Sequence, residues 1–186
     1  MKRIEEYGKS VAFAGFRDVC MGDFEQFLRQ IRRRLGGTAV QFFDADLVAG
    51  WEHLYFAVLN ALKAFESGRS ISKSFAVECL LYASAQPQIS SALELIGIKG
   101  DSSRVAVAVV TDGKEEAEGA LREVSVLMGG KRDDGVLELS GEKLPLVMRL
   151  FGISDVELRT RLGDGGEKKA LSDLVIEHIA LLAVQR

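Results

Sequence analysis

The run Arg104 to Thr111, RVAVAVVT, restricts the fold of this chain more than any other stretch. It has no polar alternation, so a strand formed from it could turn neither face to water, and its valines favour extended backbone. It is far shorter than the roughly 20 apolar residues of a membrane span. The segment is therefore expected to be a buried strand at the centre of a sheet, and the remaining elements must cover it.

Ser10 to Arg17, SVAFAGFR, reads as a first strand, and Thr38 to Phe43, TAVQFF, as a second. Between them Phe24, Phe27, Leu28, Ile31 and Leu35 recur at helical spacing. Arg29, Arg32 and Arg33 lie mostly off that stripe, and Gly36-Gly37 is the stop. Asp44 or Asp46 is a candidate cap for a helix over 47 to 66 with apolar residues on several faces. Further helices are predicted from Phe75, over Ile89 to Ile96, and over Lys114 to Met128. Val136 to Leu139 reads as a short strand after a solvated turn at 129 to 135. Pro145 and Gly152 bracket another helix, and Ser154 with Glu157 offers a capping box. The GDGGEKK segment at 163 to 169 reads as a mobile loop before a last helix from about Ser172 to Val184. Only Glu177 and His178 interrupt that helix after Asp173, so its apolar surface meets either several internal neighbours or another protein. The expected fold is a single α/β domain of mixed α+β type. Its small central sheet, mixed or antiparallel, has about four to five strands packed by several helices.

Composition narrows the function classes. With 186 residues, 47% of them hydrophobic, the chain can bury one substantial core over residues 1 to 186. A net charge of -3 offers no general attraction to phosphate, so DNA coating is not expected and any nucleic-acid contact must be local. Cys20 and Cys79 show no paired-thiol spacing, as in a reducing compartment. The N-terminus does not resemble a signal peptide, and no run is long enough for a membrane span. A soluble cytoplasmic protein is the expectation.

The usual catalytic signatures are missing. Gly8-Lys9-Ser10 fails as a phosphate-binding loop because the earlier glycine falls on Arg3 and the tripeptide precedes the first strand. No dinucleotide-binding glycine pattern or nucleophile elbow occurs. His53 and His178 each follow a glutamate on a predicted helix, where neighbouring side chains diverge by about 100° and do not chelate one ion together. Asp44, Asp46 and His53 are the one combination left for a metal or an acid-base site. Cys79 reads as core, with no flanking cation to stabilise a thiolate. No catalytic residue, metal or cofactor is assigned.

Two neighbouring segments carry a pattern of their own. Gln41 to Ala61 contains FDA-x-x-VAG-x-EHL-x-x-A, and Ile71 to Ile89 contains ISKS-x-x-VE-x-LLYASA-x-x-QI. Together they resemble the PRPK-binding protein family, the kinase-binding subunit of the KEOPS complex. The remainder of the chain matches in length and element order. The resemblance implies a non-catalytic subunit of the machinery that makes threonylcarbamoyladenosine in tRNA. In that family the subunit docks on the complex's small atypical kinase-ATPase and helps recruit tRNA by its single-stranded 3′ CCA end.

Such a tail offers unstacked bases, 2′-hydroxyls and few phosphates, so its receptor need not be basic overall. On that reading Arg69 and Lys73 meet phosphates, Tyr82 stacks or hydrogen-bonds, and Ser84, Gln86, Gln88 and the backbone up to Ile89 read bases or sugars. Tyr82 also shares a helical face with Phe75 and Cys79, which makes it equally a core residue. Glu52, Glu78, Asp44 and His53 match the family pattern but are read as capping and internal hydrogen-bonding residues. Members commonly carry a basic residue just before the QI dipeptide, where this chain has Pro87, with neither a cation nor a main-chain donor. Kinase docking is placed on apolar helices, including Leu174, Ile176 or Leu181. The rival readings are a protein-interaction module that binds the kinase without RNA, and a small enzyme using His53 with Asp44 or Asp46.

Overall fold

A computed structural model describes residues 2–4, 7–20 and 22–184. The chain sorts into two compact units, each assembled from two stretches. The first comprises Met1–Ala45 and Ile98–Val136, the second Asp46–Gly97 and Leu137–Arg186.

The first unit is a sheet covered by two helices. Its strands are β1 (Lys2–Ile4), β2 (Lys9–Arg17), β3 (Ala39–Asp44), β4 (Val105–Thr111) and β5 (Lys131–Arg132), and its helices are α1 (Phe24–Leu35) and α5 (Lys114–Met128). The order is β1-β2-β4-β3, with β5 also paired to β2, and every pairing is antiparallel. β4 lies between β2 and β3 and is buried at every residue, as an unbroken apolar run requires. The register explains how one face is covered. Ala14 and Phe42 both pair with Val107, and Ala12 and Val40 both pair with Val109, so small residues on β2 alternate with larger ones across the row. Onto that face α1 packs Phe27, Ile31 and Leu35, while α5 packs Ala117, Leu121, Val124 and Met128. The Phe27 and Phe42 rings meet edge to face at 5.3 Å, a contact of about 0.5–1.5 kcal/mol beyond its area.

Several boundaries differ from the sequence reading. Val136 to Leu139 is not a strand. Residues Asp134–Leu137 form a short 3-10 turn, because the backbone doubles back through Asp133 and the Asp134 carboxylate accepts the Gly15 N–H at 3.1 Å. Gly15 is needed there, since a Cβ would lie 2.4 Å from the Asp133 carbonyl oxygen. The paired residues are instead Lys131 and Arg132, inside the segment read as a solvated turn.

The second unit is helical. It holds α2 (Trp51–Glu66), α3 (Phe75–Ala83), α4 (Ile89–Ile96), α6 (Leu144–Phe151), α7 (Asp155–Thr160) and α8 (Gly166–Val184). α2 packs against α3 and α8, α3 against α4, and α8 also against α6 and α7. α2 begins at Trp51 after Gly50 at φ 106°, so neither Asp44 nor Asp46 caps it. α8 begins at Gly166, six residues earlier than expected, and takes in part of the segment read as a mobile loop. The capping box of Ser154 and Glu157 forms as predicted.

His53 ties α2 to the end of α3. The Ala49 N–H donates to Nδ1 at 3.0 Å, which makes that nitrogen the acceptor and places the proton on Nε2, 2.7 Å from the Ala83 carbonyl oxygen. The Phe151 ring stands edge-on at 5.6 Å. Both ring nitrogens are thereby used by main chain, which removes His53 as a metal ligand or a general base. Burial pushes its pKa down to about 4, the Ala83 carbonyl opposes that, and the Lys143 charge adds to it.

The folded ring thus stays neutral where the unfolded one, at 6.5, takes up a proton. Its contribution is complete above pH 6.5 and is lost as pH falls towards 4, at about 1.4 kcal/mol per pH unit and about 3 kcal/mol in all. Urea unfolding at steps from pH 7 to 4 should show this slope in the wild-type chain. It should be missing from a His53→Gln chain, which starts less stable at pH 7. Parallel profiles would mean that His53 is not a buried neutral base.

Candidate functional site

The family-like segment 69 to 89 is built around α3, and its polar anchors come first. Glu78 is fully buried, yet it sits only one turn into an otherwise apolar helix. Its Oε2 accepts the main-chain N–H groups of Ile71 at 3.1 Å and Ser72 at 2.8 Å. The Ser72 hydroxyl accepts the Ser74 N–H at 3.0 Å, and the Ser74 hydroxyl caps α3 by accepting the Val77 N–H. Ile71, Ser72 and Ser74 are thereby fastened to the helix they precede, with Lys73 held between them.

What this leaves at the surface is Arg69, Ile71 and Lys73. The Arg69 N–H donates to the Ala64 carbonyl at 2.8 Å, closing the end of α2 around Gly68 at φ 66°, and its side chain is exposed. Lys73 is exposed, and Ile71 is 45% exposed, large for an isoleucine outside any helix or strand. Two cations and one apolar side chain thus project from a loop with little freedom of its own.

The other end of α3 explains the SAQPQI sequence. The Ala85 N–H donates to the Tyr82 carbonyl at 2.9 Å and the Gln86 N–H to the Leu81 carbonyl at 3.0 Å, the paired bonds of a Schellman ending. This puts Ala85 at φ 51°, a left-handed conformation that costs an L-residue about 1 kcal/mol relative to glycine. Pro87 follows and prevents the helix from resuming. α4 then starts with Gln88 at its N-cap position, making no side-chain capping bond. Gln88 and Ile89 are exposed, Gln86 is half-buried, and Leu93 one turn beyond Ile89 is 51% exposed.

Two of the residues expected to read RNA are elsewhere. Tyr82 is 3% exposed and Ser84 1% exposed, and both face the helical core. The Ser84 hydroxyl donates back to the Leu80 carbonyl at 2.9 Å and the Leu81 carbonyl at 3.1 Å, so it finishes the helix and is not presented to solvent. The apolar stripe that Tyr82 shares with Cys79 was the better guide to its place. The five surface residues form two groups, with Arg69 and Lys73 before α3 and Gln86, Gln88 and Ile89 after it. Nine residues of helix set them roughly 13 Å apart along the axis. The exposed Ile71 and Leu93 were not singled out; Ile71 opens the family-like pattern and Leu93 lies just beyond it, and neither apolar residue signals its exposure locally.

The remaining chemistry is structural. Cys79 is buried, and burial, reinforced by the neighbouring Glu78 charge, pushes its thiol well above the ordinary range, so it is not a nucleophile. Asp44 accepts the Ser102 hydroxyl at 3.4 Å. On α8, Ala170, Leu171, Val175, Ile179 and Leu182 are buried. Of the residues expected to dock a partner, Leu174 and Ile176 are half-buried and Leu181 is 52% exposed, one turn before Val184 at 80%. No described helix is long and apolar enough to cross a membrane.

Residues 16–183 match the family described as kinase binding protein CGI-121. The regulatory protein Cgi121 of Methanocaldococcus jannaschii is 34% identical over 150 residues, which are 81% of this chain and 87% of that protein. The match takes in the two end groups of α3, the buried Glu78 and His53, and the exposed part of α8 up to Ala183. This chain belongs to the CGI-121 family of kinase-binding proteins.

Proposed function

We propose that the protein is a non-catalytic subunit of the KEOPS tRNA-modification complex, acting in threonylcarbamoyladenosine synthesis. It binds the complex's small atypical kinase-ATPase and recruits tRNA by its single-stranded 3′ CCA end. The observation that carries the RNA half is the loop 69 to 74. A buried carboxylate holds its backbone while Arg69 and Lys73 are left exposed. A receptor for a short flexible strand gains from this, because contacts made by an ordered loop lose less entropy on binding. Gln86, Gln88 and Ile89 at the far end of α3 supply amide and apolar contacts of the kind that unstacked bases accept.

The second reading is a module that binds the kinase and leaves RNA alone. It draws on Pro87, at a position where members of the resembled family commonly carry a basic residue, and on the net charge of -3. If a cation takes its place, the candidates are Arg69, Lys99 and Arg104. For the kinase contact we assign the exposed end of α8, with Leu181 at its centre and Leu174 and Ile176 supporting it from half-buried positions. An exposed leucine on a helix whose other side is fully packed is a suitable anchor for a partner.

Two measurements test these assignments. Titration with intact tRNA and with tRNA lacking its CCA end should give at least tenfold weaker binding to the truncated form. Lys73→Glu should reduce affinity for the intact form without lowering the melting temperature. Equal affinity for both tRNAs would favour the second reading. Leu181→Glu should abolish co-purification with the cognate kinase while leaving the chain folded, and normal co-purification would move the docking face elsewhere.

A further inference from the structure

α1 carries a charge pattern that the reading above does not use. Residues 29 to 34, RQIRRR, hold four arginines in a chain whose net charge is -3. Phe27, Ile31 and Leu35 turn one side of the helix to the sheet, which places Arg29 and Arg33, one turn apart, on the opposite side. Glu25, Gln26 and Gln30 share that outward side and are exposed, so the face is polar throughout, with one acidic residue beside its cations. Arg32 and Arg34 flank it, and Gln30, Arg33 and Arg34 line a shallow open depression.

The internal partners of these arginines are few. Arg29 pairs with Glu25 and Arg34 with Glu123, both at 3.2 Å and both largely in solvent, where such pairs exchange readily. Arg32 and Arg33 form no ion pair among the described residues. The negative C-terminal end of the helix accounts for a cation or two in the last turn, but Arg29 lies outside that turn. Folding therefore accounts for some of these arginines but not for the concentration of four in six residues.

From this face we infer that α1 is a second RNA contact, one that holds the phosphate backbone of a base-paired region. The inference rests on the RNA reading above for its class of ligand. Arginine presents a planar fork of donors that matches phosphate oxygens, and glutamine adds neutral donors to the same oxygens. Protein interfaces as a rule bury an apolar or aromatic core inside a polar rim, and this face has no such core, so it suits a phosphate backbone better than a protein. Duplex RNA is gripped through phosphates and shape, for which cations and amides suffice.

The test uses the full chain and a blunt-ended RNA hairpin with no unpaired 3′ nucleotides, titrated over a series of salt concentrations. The wild-type chain should bind it with an affinity that falls steeply with salt. The combined Arg29→Gln, Arg32→Gln and Arg33→Gln variant should bind at least tenfold more weakly at low salt, with a log–log salt slope shallower by about two to three. Lysine at the same three positions should keep most of the slope, which separates lost charge from lost fold. No hairpin binding by the wild type would overturn the inference, as would an unchanged affinity and slope in a glutamine variant that melts normally. Removing CCA from tRNA should weaken the wild type and the glutamine variant by the same factor, so the two RNA contacts stand or fall separately.

Discussion

A carboxylate with no exposed surface must be met by donors, and for Glu78 two of those donors are the backbone N–H groups of Ile71 and Ser72. Leaving such a group unmet costs several kcal/mol, so the loop before α3 cannot drift away while the helix stays packed. At the other end His53 reaches the Ala83 carbonyl, with its own Nδ1 satisfied by Ala49. α3 is therefore fixed at both ends by buried polar side chains whose partners are main chain. The surface groups on either side inherit their positions from those two anchors.

This arrangement divides the polar residues of the segment by task. Ser74, Ser84 and Glu78 serve the backbone, and Tyr82 and Cys79 fill the core, while Arg69, Lys73, Gln88 and Ile89 are exposed and Gln86 is half-buried. Pro87 takes its meaning from the same geometry. It follows a left-handed Ala85 and separates a finished helix from the next one, a structural role that a basic residue need not share.

Much of the fold was legible because its signals are local. An unbroken apolar strand, the α1 stripe, the Ser154–Glu157 box and the glycine stops each act within a few residues. What stayed hidden depends on contacts far along the chain. Asp134 folds over Gly15, 119 residues away, and thereby makes a turn of what reads as a strand. The assembly of each compact unit from two stretches leaves no compositional boundary either. In the site, the cations and glutamines were legible as polar residues, but whether a serine or tyrosine faces water was not. Ser84 follows helical rules and bonds backward, a choice set by where α3 ends.

Glu78 holds the loop carrying Lys73, and amide hydrogen exchange at Ile71 and Ser72 reads that hold out. Ile71 and Ser72 lie outside any helix or strand, so only the carboxylate bonds should protect them. Both amides should exchange slowly in the wild-type chain and at least tenfold faster in Glu78→Gln, with the amides late in α3 little changed. Rapid exchange of Ile71 and Ser72 in the wild-type chain would mean that Glu78 does not hold the loop.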